Sequence, residues 1–175
     1  MKDLKYVKLN RETITLDQFR QILEVEQADG EDNGYSKEIV KEIYVTDPKN
    51  INFACVDAET NQIVAHIATN PQSKRRNGSV FVINLVVSPN YRRLGIAQNL
   101  LLTATKHYAE MGTQLPMSIS VDKDNLPAIN LYKKVGFEIM DPICEADEDG
   151  EQYILAAPIE ILNKKMENLK NGKTQ

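Results

Sequence analysis

Apolar residues recur along this chain first at strand spacing, then at helix spacing. Leu4 to Leu9 predicts a first strand. Thr15-x-x-Gln18 has capping-box spacing, and Phe19, Ile22 and Leu23 then fall on one helical face. Asp29 to Gly34 is polar and glycine-bearing, which predicts a loop. Ser36 is placed to cap a second short helix through Ile39, Val40 and Ile43, ending before Asp47-Pro48. Phe53 to Val56 and Ile63 to Ile67 flank Ala58-Glu59-Thr60-Asn61, a hairpin turn between two strands. After a loop from Pro71 to Gly78, the nearly unbroken apolar run Val80 to Val87 predicts a central strand covered on both faces.

The second half alternates helix and strand. After Gly95, the residues Ala97, Leu101, Ala104, Tyr108 and Met111 form the inner face of a helix that Gly112 stops. Met117 to Val121 reads as a strand, and Asn125 caps a short helix with Pro127 in its first turn. Phe137 to Met140 and Gln152 to Ala156 are the final strands. Ile159, Leu162, Met166 and Leu169 make one apolar stripe, as in a helix docking on its own domain, with a homodimer contact as the sharper alternative. Asn171 to Gln175 reads as a disordered tail. The fold class is α/β, without internal repeat or interdomain linker.

Composition narrows the setting. A chain of 175 residues fits one domain with a sizeable core. The net charge of -4 exerts no general pull on nucleic acid or anionic membrane. Cys55 and Cys144 lie far apart without metal-ligand spacing, and Cys55 sits in an apolar strand pattern, so a free buried thiol in a cytoplasmic protein is expected. Met1 to Lys5 lacks the apolar stretch of a secretory signal, and Val80 to Val87 is too short to span a bilayer. His66 and His107 have no ligand spacing around them, which argues against a metal site.

The chemistry concentrates in two blocks. In Asn84-Leu85-Val86-Val87-Ser88-Pro89-Asn90-Tyr91-Arg92-Arg93-Leu94-Gly95-Ile96-Ala97, an apolar strand runs into a short basic loop and a glycine that opens a helix. That order aims backbone N–H groups at one spot in front of a positive helix end, which suits a phosphate. Arg92-x-x-Gly95-x-Ala97 keeps side chains out of the way of a pyrophosphate, Arg92 and Arg93 add charge, and Gln98 stands in the first turn. Taken alone, the pattern fits a basic strand-to-helix turn equally well. Thirty residues after Gly95 comes Asn125-x-x-Ala128-x-x-Leu131-Tyr132-x-x-x-Gly136-Phe137.

With both blocks in place, the chain resembles the GCN5-related N-acetyltransferase (GNAT) superfamily, whose pattern here is Q/R-x-x-G-x-G/A. Arg92, Gly95 and Ala97 match it, as do Leu85-x-Val87-x-Pro89-x-Tyr91 and the Asn125, Ala128, Tyr132, Gly136-Phe137 series. The resemblance covers residues 1 to about 157, leaving 158–175 as a C-terminal amphipathic helix and tail. It implies a mixed, mostly antiparallel central sheet flanked by helices, with a splayed central strand pair. It also implies acetyl-CoA as donor and a small-molecule, protein or peptide amine as acceptor, without metal. By that analogy the backbone around Leu85, Val86 and Val87 bonds the acetyl carbonyl and pantetheine amides. Arg92, Arg93, Leu94, Gly95, Ile96, Ala97 and Gln98 cradle the pyrophosphate, and Asn125 reaches the cofactor. Tyr132 protonates the leaving thiolate, a sensible task for a phenol, although a ring packed in the core is its plainer alternative.

Some members of the superfamily carry a glutamate base on the central strand or on the strand before Asn125. Here those strands offer Phe81, Asn84, Ser118 and Ser120. Either a water chain takes the ammonium proton, or an acid such as Glu24, Glu26, Asp29, Glu31 or Asp32 enters from elsewhere; a solvated acidic surface is the plainer reading of these residues. Lys74, Arg75 and Arg76 read as a solvated loop tip, with contact to the 3′-phosphate of CoA as the alternative. The acidic run Glu145 to Glu151 reads as the turn between the last two strands and a lure for a cationic acceptor. The missing strand carboxylate keeps one competitor alive, a catalytically weak acyl-CoA-binding regulatory module.

Overall fold

The computed structural model describes residues 2–10, 15–27, 47–73, 78–147 and 150–172. In chain order its elements are β1 (Leu4–Leu9), α1 (Leu16–Gln27), β2 (Ile51–Asp57), β3 (Gln62–Asn70), β4 (Val80–Val87), α2 (Ile96–Glu110), β5 (Met117–Asp122), α3 (Leu126–Val135), β6 (Glu138–Asp147), β7 (Gly150–Ala157) and α4 (Ile159–Lys170). The seven strands are ordered β1-β2-β3-β4-β5-β7-β6. The β4–β5 ladder is parallel, whereas β1–β2, β2–β3, β5–β7 and β6–β7 are antiparallel. This is the mixed, mostly antiparallel α/β sheet expected. The helix expected at 36–43, the polar loop 29–34 and the basic residues Lys74, Arg75 and Arg76 lie outside the described residues.

By its internal contacts the chain divides into two compact units, Met1–Asn70 with Ile83–Thr103, and Pro71–Val82 with Ala104–Gln175. In the first unit, α1 starts with the reciprocal capping box that its sequence spells. Thr15 N–H donates to Gln18 Oε1 at 3.0 Å, and Gln18 N–H to Thr15 Oγ1 at 3.1 Å. Ile22 and Val25 then pack on Ala54, Ile63, Ala68 and Val86 in a shared core. Gln21 ties the helix down by accepting from Ile63 N–H at 2.8 Å. The β2–β3 hairpin turns at Asn61, whose φ of 57° is one that asparagine tolerates. His66 is fully buried and meets Asn52 Oδ1 at 3.0 Å.

In the second unit, β4 contributes its first residues. Val80, Phe81 and Val82 pair with Met117, Ser118 and Ile119, and the parallel ladder ends there although β5 runs on to Asp122. Asn125 caps α3 as expected, its Oδ1 accepting from Ala128 N–H at 3.2 Å. Helix α4 docks within this unit through buried Ile159, Leu162 and Met166. Thr105 bonds Asn163, and Lys106 pairs with Glu167 at 2.9 Å. Asn171 and Gly172 form a turn after α4, and 173–175 lie outside the described residues.

Three expectations need correction. Met111 is not on the inner face of α2: the helix ends at Glu110, closed by Thr113 N–H on Tyr108 O, and Met111 is 62% exposed. Phe137 precedes β6, although it is buried. The acidic run is not simply a turn, because β6 and β7 continue into it, with Glu145 opposite Gln152 and Ala146 opposite Glu151. Charge in a sequence does not by itself tell a turn from an antiparallel ribbon, which satisfies its backbone by pairing.

Gly136 ends α3 at φ 115°, and a Cβ there would stand 3.3 Å from Lys165 Cδ and 3.6 Å from Leu162 Cδ2. Lys165 can swing aside, so the backbone sets the cost. Gly136→Ala is expected to destabilise the protein by about 1–3 kcal/mol, read as a lower thermal midpoint.

Candidate functional site

The basic loop and the start of α2 belong to the first unit. After β4, Ser88 N–H donates to Val64 O at 2.9 Å, and a single 3-10 turn, Pro89–Tyr91, reverses the chain. Two left-handed residues follow in alternate positions, Arg93 at φ 63° and Gly95 at φ 73°. Positive φ is uncommon outside glycine, so at Arg93 the backbone is held in an enforced shape as it enters the helix. A Cβ at Gly95 would meet nothing closer than Asn99 Nδ2 at 3.9 Å, so glycine is needed there for its φ rather than for space.

The helix then opens. Its first bond runs from Asn99 N–H to Gly95 O at 3.0 Å, so the helix's own turns do not use the N–H groups of Ile96, Ala97 and Gln98. Ile96 is buried and anchors this first turn, Ala97 and Gln98 are half-buried, and Arg92, Arg93, Leu94 and Gly95 are exposed. Leu85 and Val87 are half-buried on β4, with Val86 between them buried in the core.

Groups distant in sequence hold the turn in place. Tyr91 Oη donates to Asp57 Oδ2 at 2.7 Å, while Lys2 Nζ lies 3.3 Å from the centre of the Tyr91 ring, a cation–π contact. Asp57 Oδ1 in turn accepts from Glu59 N–H at 3.0 Å. The Tyr91 hydroxyl holds the Asp57 carboxyl below its usual range, and the same bond raises the Tyr91 phenol. Arg92 folds back, its Nε donating to Val87 O at 3.3 Å. At the helix side, Tyr6 bonds Asn99, and burial pushes the Tyr6 phenol up to about 12. The neighbouring Cys55 thiol is raised to about 11 for the same reason, which leaves it an inert buried thiol.

Tyr132 belongs to the second unit, on α3. It is 6% exposed, with its ring edge-on to Phe137 at 5.8 Å between centroids. Burial raises its phenol well above the ordinary tyrosine range. Asn125 is exposed and spends its Oδ1 on the α3 cap. Of the strand positions where a carboxylate was sought, Phe81 is buried, Asn84 Oδ1 accepts from Leu85 N–H at 2.9 Å, and Ser118 Oγ meets Ser79 Oγ at 2.6 Å. Ser120 Oγ is buried without a partner. Glu24 is exposed on α1, and Asp29, Glu31, Asp32 and the side chain of Glu26 lie outside the described residues. Among the described residues no three His, Cys, Asp or Glu are grouped to hold a metal ion, and no helix is long and apolar enough to cross a membrane.

The acetyltransferase (GNAT) family model matches residues 16–137, which take in the Gly95 turn and Tyr132 alike. The chain belongs to this family. An N-alpha-acetyltransferase of Sulfurisphaera tokodaii is 39% identical over 79 residues, 45% of this chain and 47% of that protein. The L-amino acid N-acetyltransferase AaaT of Escherichia coli is 29% identical over 102 residues, 58% of this chain and 57% of that protein. The match thus spans about half the length of each relative. The crystal structure of the ribosomal-protein-S18-alanine N-acetyltransferase from Escherichia coli shares the fold, with a TM-score of 0.70 at 20% identity over 90% of this chain and 94% of that one.

Several supports of this GNAT turn escaped the sequence reading: Asp57, Lys2 and Tyr6. Each reaches the turn from another strand or from the N-terminal end, and no local pattern marks them. Asp57 gives a pH test. Its folded pKa is depressed, so its contribution is full above the unfolded carboxylate value of ~3.9 and is lost as pH falls through the lower folded value. Tyr91→Phe is therefore expected to lower the thermal midpoint at neutral pH, with the gap from wild type closing as pH drops through that window in thermal melts.

Proposed function

We propose that this chain is an acetyl-CoA-dependent N-acetyltransferase. The observation that carries the reading is the Gly95 turn, which opens α2 with the Ile96, Ala97 and Gln98 amides left unused by the helix, beside exposed Arg92 and Arg93. These features fit a pyrophosphate: a positive helix end with amides to offer, exposed arginine charge and no side chain at Gly95 in the way. Leu85 and Val87 on β4 would offer backbone groups to the pantetheine arm, and Asn125 would contact the cofactor by its backbone, its side-chain oxygen being taken by the cap.

When bound, acetyl-CoA supplies a thioester whose carbonyl carbon is open to an amine: the C–N bond forms, the C–S bond breaks, sulfur leaves with the bonding pair and nitrogen gives up a proton. Tyr132 is the residue assigned to the sulfur. Its raised pKa keeps the hydroxyl protonated throughout the physiological range. Its work is to donate a hydrogen bond to the departing thiolate and to hand over the proton as that charge builds. The acceptor is an amine. The names of two relatives, N-alpha-acetyltransferase and L-amino acid N-acetyltransferase, put α-amino groups first among the candidates.

Thiol release from acetyl-CoA with amino acids, free-N-terminal peptides and polyamines tests the reading. Tight acetyl-CoA binding without turnover on any amine would instead favour a regulatory module. Tyr132→Phe is expected to lower kcat roughly 10- to 1000-fold with acetyl-CoA affinity retained. Wild-type kcat should show no alkaline decline from Tyr132 near the ordinary tyrosine value of ~10. Gly95→Ala, which forces an L side chain to φ 73°, is expected to weaken acetyl-CoA binding about tenfold or more, read by titration calorimetry.

A further inference from the structure

Among the described residues, two buried polar atoms of the second unit find no hydrogen-bond partner, Ser120 Oγ and Gln152 Oε1. The β5–β7 register makes them neighbours. Ser118 stands opposite Ala156, Ser120 opposite Ile154 and Asp122 opposite Gln152. Side chains alternate along each strand, so Ser118, Ser120, Asp122, Ile154 and Gln152 share one face, and Ser120 and Gln152 are diagonal neighbours on it. Native proteins leave few such atoms orphaned, and two adjacent ones on one face call for a missing partner.

Asp122 fixes what Gln152 can offer a partner. Gln152 Nε2 donates to Asp122 Oδ1 at 2.9 Å, and the opposite amide orientation would set oxygen against carboxylate. Gln152 therefore presents Oε1, an acceptor only, and the carboxylate behind the amide polarises it to accept more strongly. Ser120 Oγ can also accept. A ligand with two donor hydrogens on one small centre satisfies both. We propose that Ser120 and Gln152 form the seat for the nitrogen of the acetyl acceptor, each taking one N–H of the amine; this rests on the acetyl-transfer reading above. The seat suits the reaction because it is neutral. A carboxylate in direct contact would hold the ammonium charged, whereas two neutral oxygens bind the nitrogen and resist proton loss less.

Ser118 serves as the control. It lies on the same face, but its Oγ is already bonded to Ser79. Steady-state thiol release would be measured with glycinamide, spermidine and a free-N-terminal tetrapeptide, at saturating acetyl-CoA and then at saturating amine. Ser120→Ala is expected to raise the amine KM about tenfold while leaving the acetyl-CoA KM unchanged. Its thermal midpoint should hold or rise, because an unsatisfied hydroxyl is being removed. Gln152→Met should move the amine KM the same way. Ser118→Ala should lower the midpoint and leave the amine KM alone. An unchanged amine KM in Ser120→Ala together with a lower midpoint would mean that the seat holds an internal water, and would overturn the proposal. A matching rise in acetyl-CoA KM, or an equal amine effect in Ser118→Ala, would also overturn it. If the wild type releases no thiol with any probe, the transfer reading itself falls, and the seat with it.

Discussion

The left-handed step at Gly95 decides which amides the chain has to offer. Because Gly95 O takes the first helical bond, from Asn99, helix α2 begins with three N–H groups that its own geometry does not use. Two residues earlier Arg93 holds a positive φ without being glycine, at a cost of roughly 1–2 kcal/mol. Such a turn persists only where its surroundings hold it. Here the bonds Ser88 to Val64, Tyr91 to Asp57, Arg92 to Val87 and Tyr6 to Asn99 supply that hold, from β3, β2, β4 and β1 in turn. The first unit of this GNAT chain is in this sense a frame built around one loop.

That division of labour explains which parts could be read from the chain. Features whose partners lie within one turn were legible: the Thr15–Gln18 box, the Asn125 cap and the glycine that opens α2. Their physics is local, so spacing reveals it. Asp57 and Tyr91 stand 34 residues apart, and Ser79 and Ser118 are 39 apart. Alternation tells which face a strand residue occupies but not which residue stands opposite, so the Ser120 and Gln152 neighbourhood existed only once the register was known. The acidic run misled for a related reason. Charge alone does not distinguish a turn from a paired ribbon, and the backbone there is paired.

Burial at Tyr132 pulls the acid role proposed for it in two directions. Desolvation raises the phenol, which guarantees a proton to donate but makes that proton harder to release. Brønsted behaviour favours a general acid with a pKa near the working pH, and Tyr132 sits far from it in the resting protein. The conflict eases when the time course of charge is considered. In the proposed transfer, a thiolate forming against the hydroxyl in a dry environment would itself be poorly solvated, so its own proton affinity would rise as well. What matters is the difference between two groups that the same burial shifts in the same direction. A buried tyrosine can therefore match a buried sulfur more closely than its own shift suggests, and in the proposed reaction the hydrogen bond between them would stabilise the sulfur before any proton moved.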